Sequence, residues 1–421
     1  MDDRLLALKI LSKIEHDKAY SNIVLDSVLK SNNVSSASFV CALVYGVLER
    51  KITLDYYLSE FLTQPIKKLN PQVLTILRMG IYQIKYMDKV PTSAAVNESV
   101  KLTKKVKSGY ASGLVNSILR KISVVDVELP HTDNSVYDLS IAYSCPENLV
   151  AHYLNNYGVE KTETILSSSV GTVPMFIRVN TIKTSPDSLI TLLAKEGIEA
   201  IKVPGMDNAL EIVSGDSLFA TNCFKDGLFH VQDIASQTCI KTLSPEKGDV
   251  VFDMCSAPGG KSFTIAQYME NQGKVYSFDL YEHKIKLIND GTSRLGIDII
   301  DAYIGDASVF NPNLPKADKI LCDVPCSGLG VIRRKPEIKY KDIAFIDKLC
   351  DLQYNILNNA SLYLKDKGVI VYSTCSLNKA ENEEICQRFL DEHPDYKCDG
   401  MTTLFPHRDS DGFFFAKMIK E

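Results

Sequence analysis

Hydrophobic residues recur at helical spacing through the first 122 residues. Between Pro71 and Met87, one helical face carries Val73, Ile76, Leu77, Gly80, Ile81 and Ile84. Asn70 is placed to cap this helix and Pro71 suits its first turn. Ser36 to Arg50 and Thr92 to Val106 show the same periodicity without strand-like alternation. The pattern predicts an all-helical domain of six or seven helices over residues 1–125.

This helical periodicity ends near residue 122, and a linker and a region of mixed strand and helix pattern follow. Residues 126–145 contain Pro130, His131, Asp133 and Asn134, which is typical of a linker. In residues 146–230, a short β-type run at Phe176 to Val179 precedes a helical stretch at Pro186 to Glu196 and a strand at Ile198 to Val203. We therefore predict a small α+β unit there.

Strands and helices alternate regularly over residues 231–421. The predicted strands are Val250 to Asp253, Lys274 to Asp279, Lys319 to Asp323 and Gly368 to Tyr372. Helical segments separate them, which indicates a doubly wound parallel sheet covered on both faces. The expected architecture is a multidomain chain that ends in a Rossmann-like α/β domain.

Composition narrows the class of protein. Of the 421 residues, 45% are hydrophobic and 24% are charged, as in a folded globular protein. The longest apolar run, Phe39 to Leu48, is half of the roughly 20 residues that a membrane helix needs. Asp2 and Asp3 stand where a secretion signal requires positive charge. Eleven cysteines without any C-x-x-C pair predict a cytoplasmic protein with reduced thiols and no metal.

The charge is unevenly distributed along the chain. The net charge is −5, yet residues 1–140 carry 18 Lys and Arg against 14 Asp and Glu. No acid occurs between Glu98 and Asp126, where the basic residues are Lys101, Lys104, Lys105, Lys107, Arg120 and Lys121. Two interpretations stay open, namely a solvated helix face and a surface that contacts nucleic-acid phosphates.

A glycine turn follows the first predicted strand of the α/β domain, in the run Asp253 to Lys261. Ligands in such folds bind beyond the carboxyl ends of the strands, and the next helix offers free N–H groups. Gly260-Lys261-Ser262 matches the end of a nucleotide-binding P-loop. Cys255, however, occupies the position of the first glycine of that motif, so we do not expect a nucleoside triphosphatase.

Acidic residues follow the next strands. Asp279 lies twenty residues after Gly259, where a carboxylate binds the ribose hydroxyls of a nucleoside. Asp306, in Gly305-Asp306-Ala307, is placed to accept from an adenine amino group. Together they favour an adenosine-containing cofactor that lacks a pyrophosphate, a description that S-adenosylmethionine meets.

Two cysteines follow strand ends in polar, turn-like contexts: Cys326 in Asp323 to Gly328 and Cys375 in Tyr372 to Ser376. Carbon 5 of a pyrimidine is too weak a nucleophile to take a methyl group until a thiolate adds to carbon 6. Asp323 is placed to supply an acid near N3 of the base and offset the developing charge. The residues alone do not decide which cysteine attacks.

These motifs together resemble the RNA (cytosine-C5)-methyltransferases. The resemblance implies that Cys375 is the nucleophile, that Cys326 assists product release, and that Lys261 and Asp323 lie against the target base. It also implies a donor site formed by Cys255, Ser256, Ala257, Pro258, Gly259, Gly260, Lys261, Asp279, Asp306 and Asp323.

The helical region resembles the antitermination factor NusB in Leu5 to Leu8, Val44 to Arg50 and Ala111 to Arg120. A NusB-like domain joined to this catalytic domain is typical of RsmB-type (Sun or Fmu) bacterial 16S rRNA methyltransferases. The middle unit is similar to their RRM-like region but lacks an aromatic-rich RNP1 pattern. The resemblance implies a monomer, away from membranes, acting on 16S rRNA or a partially assembled small ribosomal subunit.

The sequence leaves other substrates and roles open. The basic residues after Cys326, namely Arg333, Arg334, Lys335, Lys339 and Lys341, are candidates to hold the RNA backbone. A tRNA methyltransferase of the same chemistry is one alternative, although tRNA enzymes of the family generally lack the helical domain. A non-catalytic RNA-binding or antitermination factor is another, but it would need neither a donor site nor two placed thiols.

Overall fold

The computed structural model describes residues 2–17, 19–32, 34–171, 173–215, 218–341 and 346–421. Their contacts divide the chain into two compact units. The first combines Met1–Gly171 with Ile332–Lys341, and the second combines Thr172–Val331 with Asp342–Glu421.

The first unit is helical, as the periodicity predicts. Its α-helices are α1 (Asp3–Asp17), α2 (Ser21–Ser31), α3 (Ala37–Ser59), α4 (Pro71–Tyr86), α5 (Thr92–Lys105), α6 (Ser112–Ile122), α7 (Ser135–Tyr143) and α8 (Glu147–Ser168). The Asn70 side chain caps α4 by accepting from the backbone N–H groups of Gln72 and Val73. The predicted apolar face of α4 is buried in the core of this unit, except for the half-buried Ile84.

Helix α7 lies in the stretch that the sequence indicates as a linker. Thr53 in α3 donates from Oγ1 to the carbonyl of Ile141 at 2.6 Å, and Ile52 N–H donates to Ser144 Oγ at 2.8 Å. These contacts hold the segment against α3. The first compact unit accordingly runs to Gly171, well beyond residue 145. Pro, Asn and Asp around a helix of nine residues conceal it, because capping and turn residues look alike in a sequence.

The segment Ile332–Lys341 packs within the helical unit. Glu337 accepts from the N–H and the hydroxyl of Ser21, both at 2.9 Å. Lys339 is buried, and its Nζ donates to the Glu49 carbonyl at 2.7 Å. The expectation that Lys339 holds an RNA backbone is therefore wrong. A lysine with its ammonium group committed to a buried carbonyl is not available to a phosphate.

The second unit begins with a small antiparallel sheet. Its strands are β1 (Met175–Val179), β2 (Glu199–Lys202), β3 (Ala209–Ser214) and β4 (Phe229–Val231), in the order β2-β3-β1-β4, with α9 (Pro186–Lys195) and α10 (Asn222–Lys225). This is the predicted α+β unit. The buried Arg178 of β1 donates to the Gln267 side chain at 2.9 Å. This hydrogen bond joins the small sheet to a helix of the α/β domain that follows.

The larger sheet has seven strands, namely β5 (Val250–Asp253), β6 (Lys274–Asp279), β7 (Ile300–Ile304), β8 (Ala317–Asp323), β9 (Leu364–Thr374), β10 (Tyr396–Leu404) and β11 (Phe413–Lys420). The helices of this part are α11 (Ile234–Leu243), α12 (Gly260–Tyr268), α13 (Glu282–Leu295), α14 (Ile346–Ser361) and α15 (Glu383–Glu392).

The strand order of this sheet is β10-β11-β9-β8-β5-β6-β7. Strands β5 to β9 are parallel, whereas β11 runs antiparallel to both of its neighbours, β9 and β10. Apolar clusters fill both faces of the sheet beneath the helices. The prediction of a doubly wound Rossmann-like domain is confirmed, with the antiparallel strand pair as an addition. Of the helices described, none is long and apolar enough to cross a membrane.

Candidate functional site

Four parallel strands deliver polar residues to one edge of the large sheet. Asp253 ends β5, Asp279 ends β6, Asp323 ends β8 and Thr374 ends β9. The parallel register pairs Asp323 with Ser373. The segments that carry Cys326 and Cys375 leave the sheet directly after these two positions, so adjacent strands bring them together.

The glycine turn after β5 forms one side of a cavity of about 220 Å³. Gly259 has a φ of +110°, and a Cβ there would lie 2.4 Å from the Phe263 ring, so only glycine fits. Ser256 donates from its N–H and its hydroxyl to the Phe278 carbonyl, which fixes the turn to β6. The cavity is lined by Val231, Gln232, Asp233, Ser236, Asp253, Cys255, Ser256, Ala257, Pro258, Gly260, Lys261 and Asp323.

Asp253 is a fully buried carboxyl group in the wall of this cavity. Ser262 Oγ donates to its Oδ2 at 2.6 Å, while Oδ1 has no hydrogen-bond partner among the described residues. Burial raises the pKa of Asp253 to about 7. An unsatisfied acceptor in a residue that lines a cavity suits a ligand that carries a donor or a positive charge.

Asp279 and Asp306 lie farther along the same edge. Asp279 is buried, accepts from Tyr281 N–H at 3.2 Å and pairs with Lys284 at 3.4 Å. Asp306 lines a second cavity of about 600 Å³ with aromatic walls that include Phe278 and Tyr303. Ser308 donates twice to Asp306 Oδ1 and lowers the pKa of that carboxyl. The predicted donor residues therefore divide between two cavities, and Gly259 and Asp279 line neither of them.

Lys261 and Asp323 form an ion pair, with Nζ and Oδ2 2.6 Å apart. Ser373 donates to the other carboxylate oxygen at 2.8 Å. Burial lowers the pKa of Lys261, but Asp323 outweighs burial and holds that pKa above its ordinary value. The Cys375 sulfur adds to this effect. Lys261 is thus a permanent positive charge close to Cys375, which favours the thiolate form of that cysteine.

The sulfur atoms of Cys326 and Cys375 lie 3.1 Å apart, and both residues are partly exposed. The hydrogen bond to Cys375, burial, and the negative charges of Cys375, Glu381 and Asp323 all raise the pKa of Cys326. Cys326 therefore stays a protonated thiol at neutral pH, beside a cysteine whose thiolate form Lys261 favours. Cys375 is thus suited to act as a nucleophile, and Cys326 is suited to act as a proton donor.

The sequence reasoning missed a buried carboxylate behind both cysteines. Glu381 is fully buried and accepts hydrogen bonds from Ser327 and Ser376, the residues that directly follow Cys326 and Cys375. In the sequence, Glu381 stands in the run Lys379 to Glu384, which is typical of a solvated helix start. Only its neighbours in space reveal its burial.

The fold and this edge together define a Rossmann-like methyltransferase of the S-adenosylmethionine-dependent class. Within the described ranges, no group of three or more His, Cys, Asp or Glu side chains is arranged to hold a metal ion. Residues 240–419 match the family model described as 16S rRNA methyltransferase RsmB/F. Residues 1–124 match the NusB family, and residues 145–217 match the ferredoxin-like domain of RsmF/B-like methyltransferases.

A curated relative covers nearly the whole chain. The probable ribosomal RNA small subunit methyltransferase B of Bacillus subtilis (strain 168) is 37% identical over 99% of this chain and 98% of its own length. The chain belongs to the RsmB/F family of 16S rRNA methyltransferases.

Two solved structures share this fold. The crystal structure of PH0851 covers 100% of this chain and 99% of its own, with a TM-score of 0.83 and 25% identity. A methyltransferase homolog from Pyrococcus horikoshii covers 69% of this chain and 100% of its own, with a TM-score of 0.62 and 28% identity. The fold class and the family expected from the motifs are confirmed.

Because the pKa of Asp253 is raised, we predict that the stability of the folded protein depends on pH through this residue. The folded protein keeps a proton on Asp253 up to about pH 7, whereas the unfolded chain loses it near pH 4, so stability falls as pH rises between these values. Asp253→Asn mimics the protonated form. We expect the difference in free energy of unfolding in urea, Asp253→Asn minus the unchanged protein, to increase by roughly 3 kcal/mol from pH 5 to pH 8. The exposed Asp306→Asn is the control and should show no such increase; an equal difference for Asp253→Asn at both pH values contradicts the assignment.

Proposed function

We propose that this chain transfers a methyl group to carbon 5 of a cytosine in 16S rRNA, through a covalent bond between Cys375 and carbon 6. The observation that carries the proposal is the Cys326–Cys375 pair, 3.1 Å apart and next to the Lys261–Asp323 ion pair. Membership of the 16S rRNA methyltransferase family and a NusB-like domain support ribosomal RNA as the substrate.

S-adenosylmethionine would supply the methyl group. The residues fit such a donor, because Asp253 lines the smaller cavity and has a buried carboxyl oxygen without a partner among the described residues, which suits the positively charged end of an amino acid. Asp306 borders the aromatic cavity, whose walls suit an adenine. We assign donor binding to Cys255, Ser256, Ala257, Pro258, Gly259, Gly260, Lys261, Asp279, Asp306 and Asp323, and we add Asp253 to them.

Cys375 is assigned as the nucleophile that adds to carbon 6. A free thiol is only a few per cent ionised at neutral pH, and the Lys261 charge raises that fraction. Addition makes carbon 5 enamine-like and able to accept the methyl group. Asp323, held by Lys261 and Ser373, is assigned to N3 of the base, and the adjacent Lys261 ammonium offsets the negative charge that develops there.

Cys326 is assigned to product release. After methyl transfer, a base removes the proton from carbon 5, and the bond between Cys375 and carbon 6 breaks with its electron pair leaving on the Cys375 sulfur. Because its pKa is raised, Cys326 holds a proton beside the departing Cys375 sulfur. A cytosine that reaches both cysteines has to be single-stranded or flipped out of a helix.

The basic stretch of the helical domain is a candidate RNA surface. Lys101 pairs with Glu98, and Lys105 pairs with Asp2. Lys104, Lys107 and Lys121 are exposed and form no ion pair within the part of the chain that the structure describes. Tyr110, 77% exposed, lies on the same stretch and offers a ring for base stacking. These features favour the phosphate-contacting interpretation over a solvated face.

The proposed reaction is tested by nucleoside mass spectrometry on unmodified 16S rRNA incubated with the protein and S-adenosylmethionine. We expect 5-methylcytidine with the unchanged protein and none with Cys375→Ala, while donor binding measured by calorimetry is retained. Full activity of Cys375→Ala would rule out Cys375 as the nucleophile. Methylation of tRNA but not of 16S rRNA would keep the chemistry and overturn the substrate.

Replacement of Cys326 is expected to trap the reaction after methyl transfer. Without its proton donor, Cys326→Ala should accumulate an adduct between protein and RNA that survives denaturing gel electrophoresis. The double replacement of Cys326 and Cys375 by alanine is the control, since it lacks the attacking sulfur. If Cys326→Ala forms no more adduct than this control, Cys326 has no part in release.

Loss of the unpaired lysines is expected to weaken RNA binding and its salt dependence. Replacing Lys104, Lys107 and Lys121 by glutamine should reduce the slope of log K against log salt by about two. The control replaces Lys67, Lys68 and Lys89, which are exposed in the same domain, with the same change in charge. Equal slopes for the two triple variants would show that the basic stretch is a solvated helix face that does not contact RNA.

A further inference from the structure

Glu381 connects the two cysteine segments from behind. Its carboxylate accepts from Ser327 N–H at 2.8 Å, from Ser327 Oγ at 2.6 Å and from Ser376 Oγ at 2.8 Å. The two serine hydroxyls also lie 2.8 Å from each other. One buried side chain thus ties the residue after Cys326 to the residue after Cys375.

Two amide side chains complete the shell around this carboxylate. Gln353 in α14 donates to Glu381 Oε1 at 3.0 Å and to the Pro325 carbonyl at 2.9 Å. Asn378 donates to Oε2 at 3.3 Å. All of these donors are neutral, so the hydrogen bonds alone compensate for the burial of the charge. Such a shell is satisfied only while both cysteine segments keep their positions.

We propose that Glu381 is a positioning residue that holds Cys326 and Cys375 at the separation that methyl transfer and release require. The inference rests on the proposed function, which it deepens. The next residue supports the same segment, because Asn382 accepts from Thr374 Oγ1 at 2.5 Å and donates to the Ser376 carbonyl at 2.9 Å. The turn after β9 is therefore fixed on both sides of Cys375.

The negative charge of Glu381 has a second effect, on Cys326. Among the titratable groups around this thiol, Cys375, Glu381 and Asp323 each raise its pKa, and Tyr372 also interacts with it. Removing the Glu381 charge leaves those of Cys375 and Asp323 in place. The pKa of Cys326 should then fall, and its thiolate should appear at lower pH.

The test compares Glu381→Gln with Glu384→Gln, an exposed glutamate two residues into the next helix. Glutamine puts an NH2 group where the carboxylate accepts, so at least one cysteine segment loses its acceptor. We expect kcat for 5-methylcytidine formation to fall by roughly 10- to 100-fold, as for a displacement of about 1 Å of a reacting group. KM for S-adenosylmethionine should not change, because Glu381 does not line the donor cavities.

A measurement of thiol reactivity decides the same question without methyl transfer. Alkylation of Cys326 by iodoacetamide, followed by peptide mass spectrometry against pH, should have its midpoint at lower pH in Glu381→Gln than in Glu384→Gln. Unchanged kcat together with an unchanged alkylation profile would overturn the positioning role. If the unchanged protein makes no 5-methylcytidine, the proposed function fails, and the alkylation profile still decides the role of Glu381.

Milder variants apply if Glu381→Gln shows no cooperative thermal unfolding. Ser376→Ala loosens the segment of Cys375 and should slow formation of the RNA adduct. Ser327→Ala loosens the segment of Cys326 and should slow loss of the adduct instead. A general loss of stability would affect both steps alike in both variants, and that result would count against Glu381 as a positioning residue.

Discussion

The parallel pairing of β8 with β9 is the constraint on which the site depends. Its register sets Asp323 beside Ser373, so the two segments that follow these strands leave the sheet side by side. Cys326 follows Asp323 by three residues, and Cys375 follows Ser373 by two. The strand register thereby brings the two sulfurs to 3.1 Å from each other. The pairing of β5 with β8 brings the glycine turn, and with it Lys261, to the same place.

Charges at this edge are stabilised in different ways. Lys261 and Asp323 form a direct ion pair, and Ser373 satisfies the remaining carboxylate oxygen. Glu381 accepts from several neutral donors, whereas Asp253 accepts from the Ser262 hydroxyl and burial raises its pKa to about 7. Burial penalises each charge, so the number of hydrogen-bond donors around a carboxylate sets how far its charged form is stabilised.

The helical unit shows the limit of reading charge from a sequence. Lys339 follows Arg333, Arg334 and Lys335 and looks like part of an exposed basic loop, yet it is buried against the Glu49 carbonyl. Tyr340 lies beside it and donates to the Leu48 carbonyl at 2.9 Å. Burial lowers the pKa of Lys339 to about 8. Neighbours distant in the chain decide whether a lysine contacts solvent.

The sequence by itself determined the class of each of the three domains, the four parallel strands β5, β6, β8 and β9, and the polar residues at or after their carboxyl ends. Such features depend on local periodicity and on turn residues, which lie within a few positions of each other. Only the tertiary structure decided which polar residues are buried, that α7 packs on α3, and that Glu381 joins two cysteine segments 49 residues apart. These depend on contacts between residues far apart in the chain, and the free energy of burying a carboxylate is set by donors that no local pattern reveals.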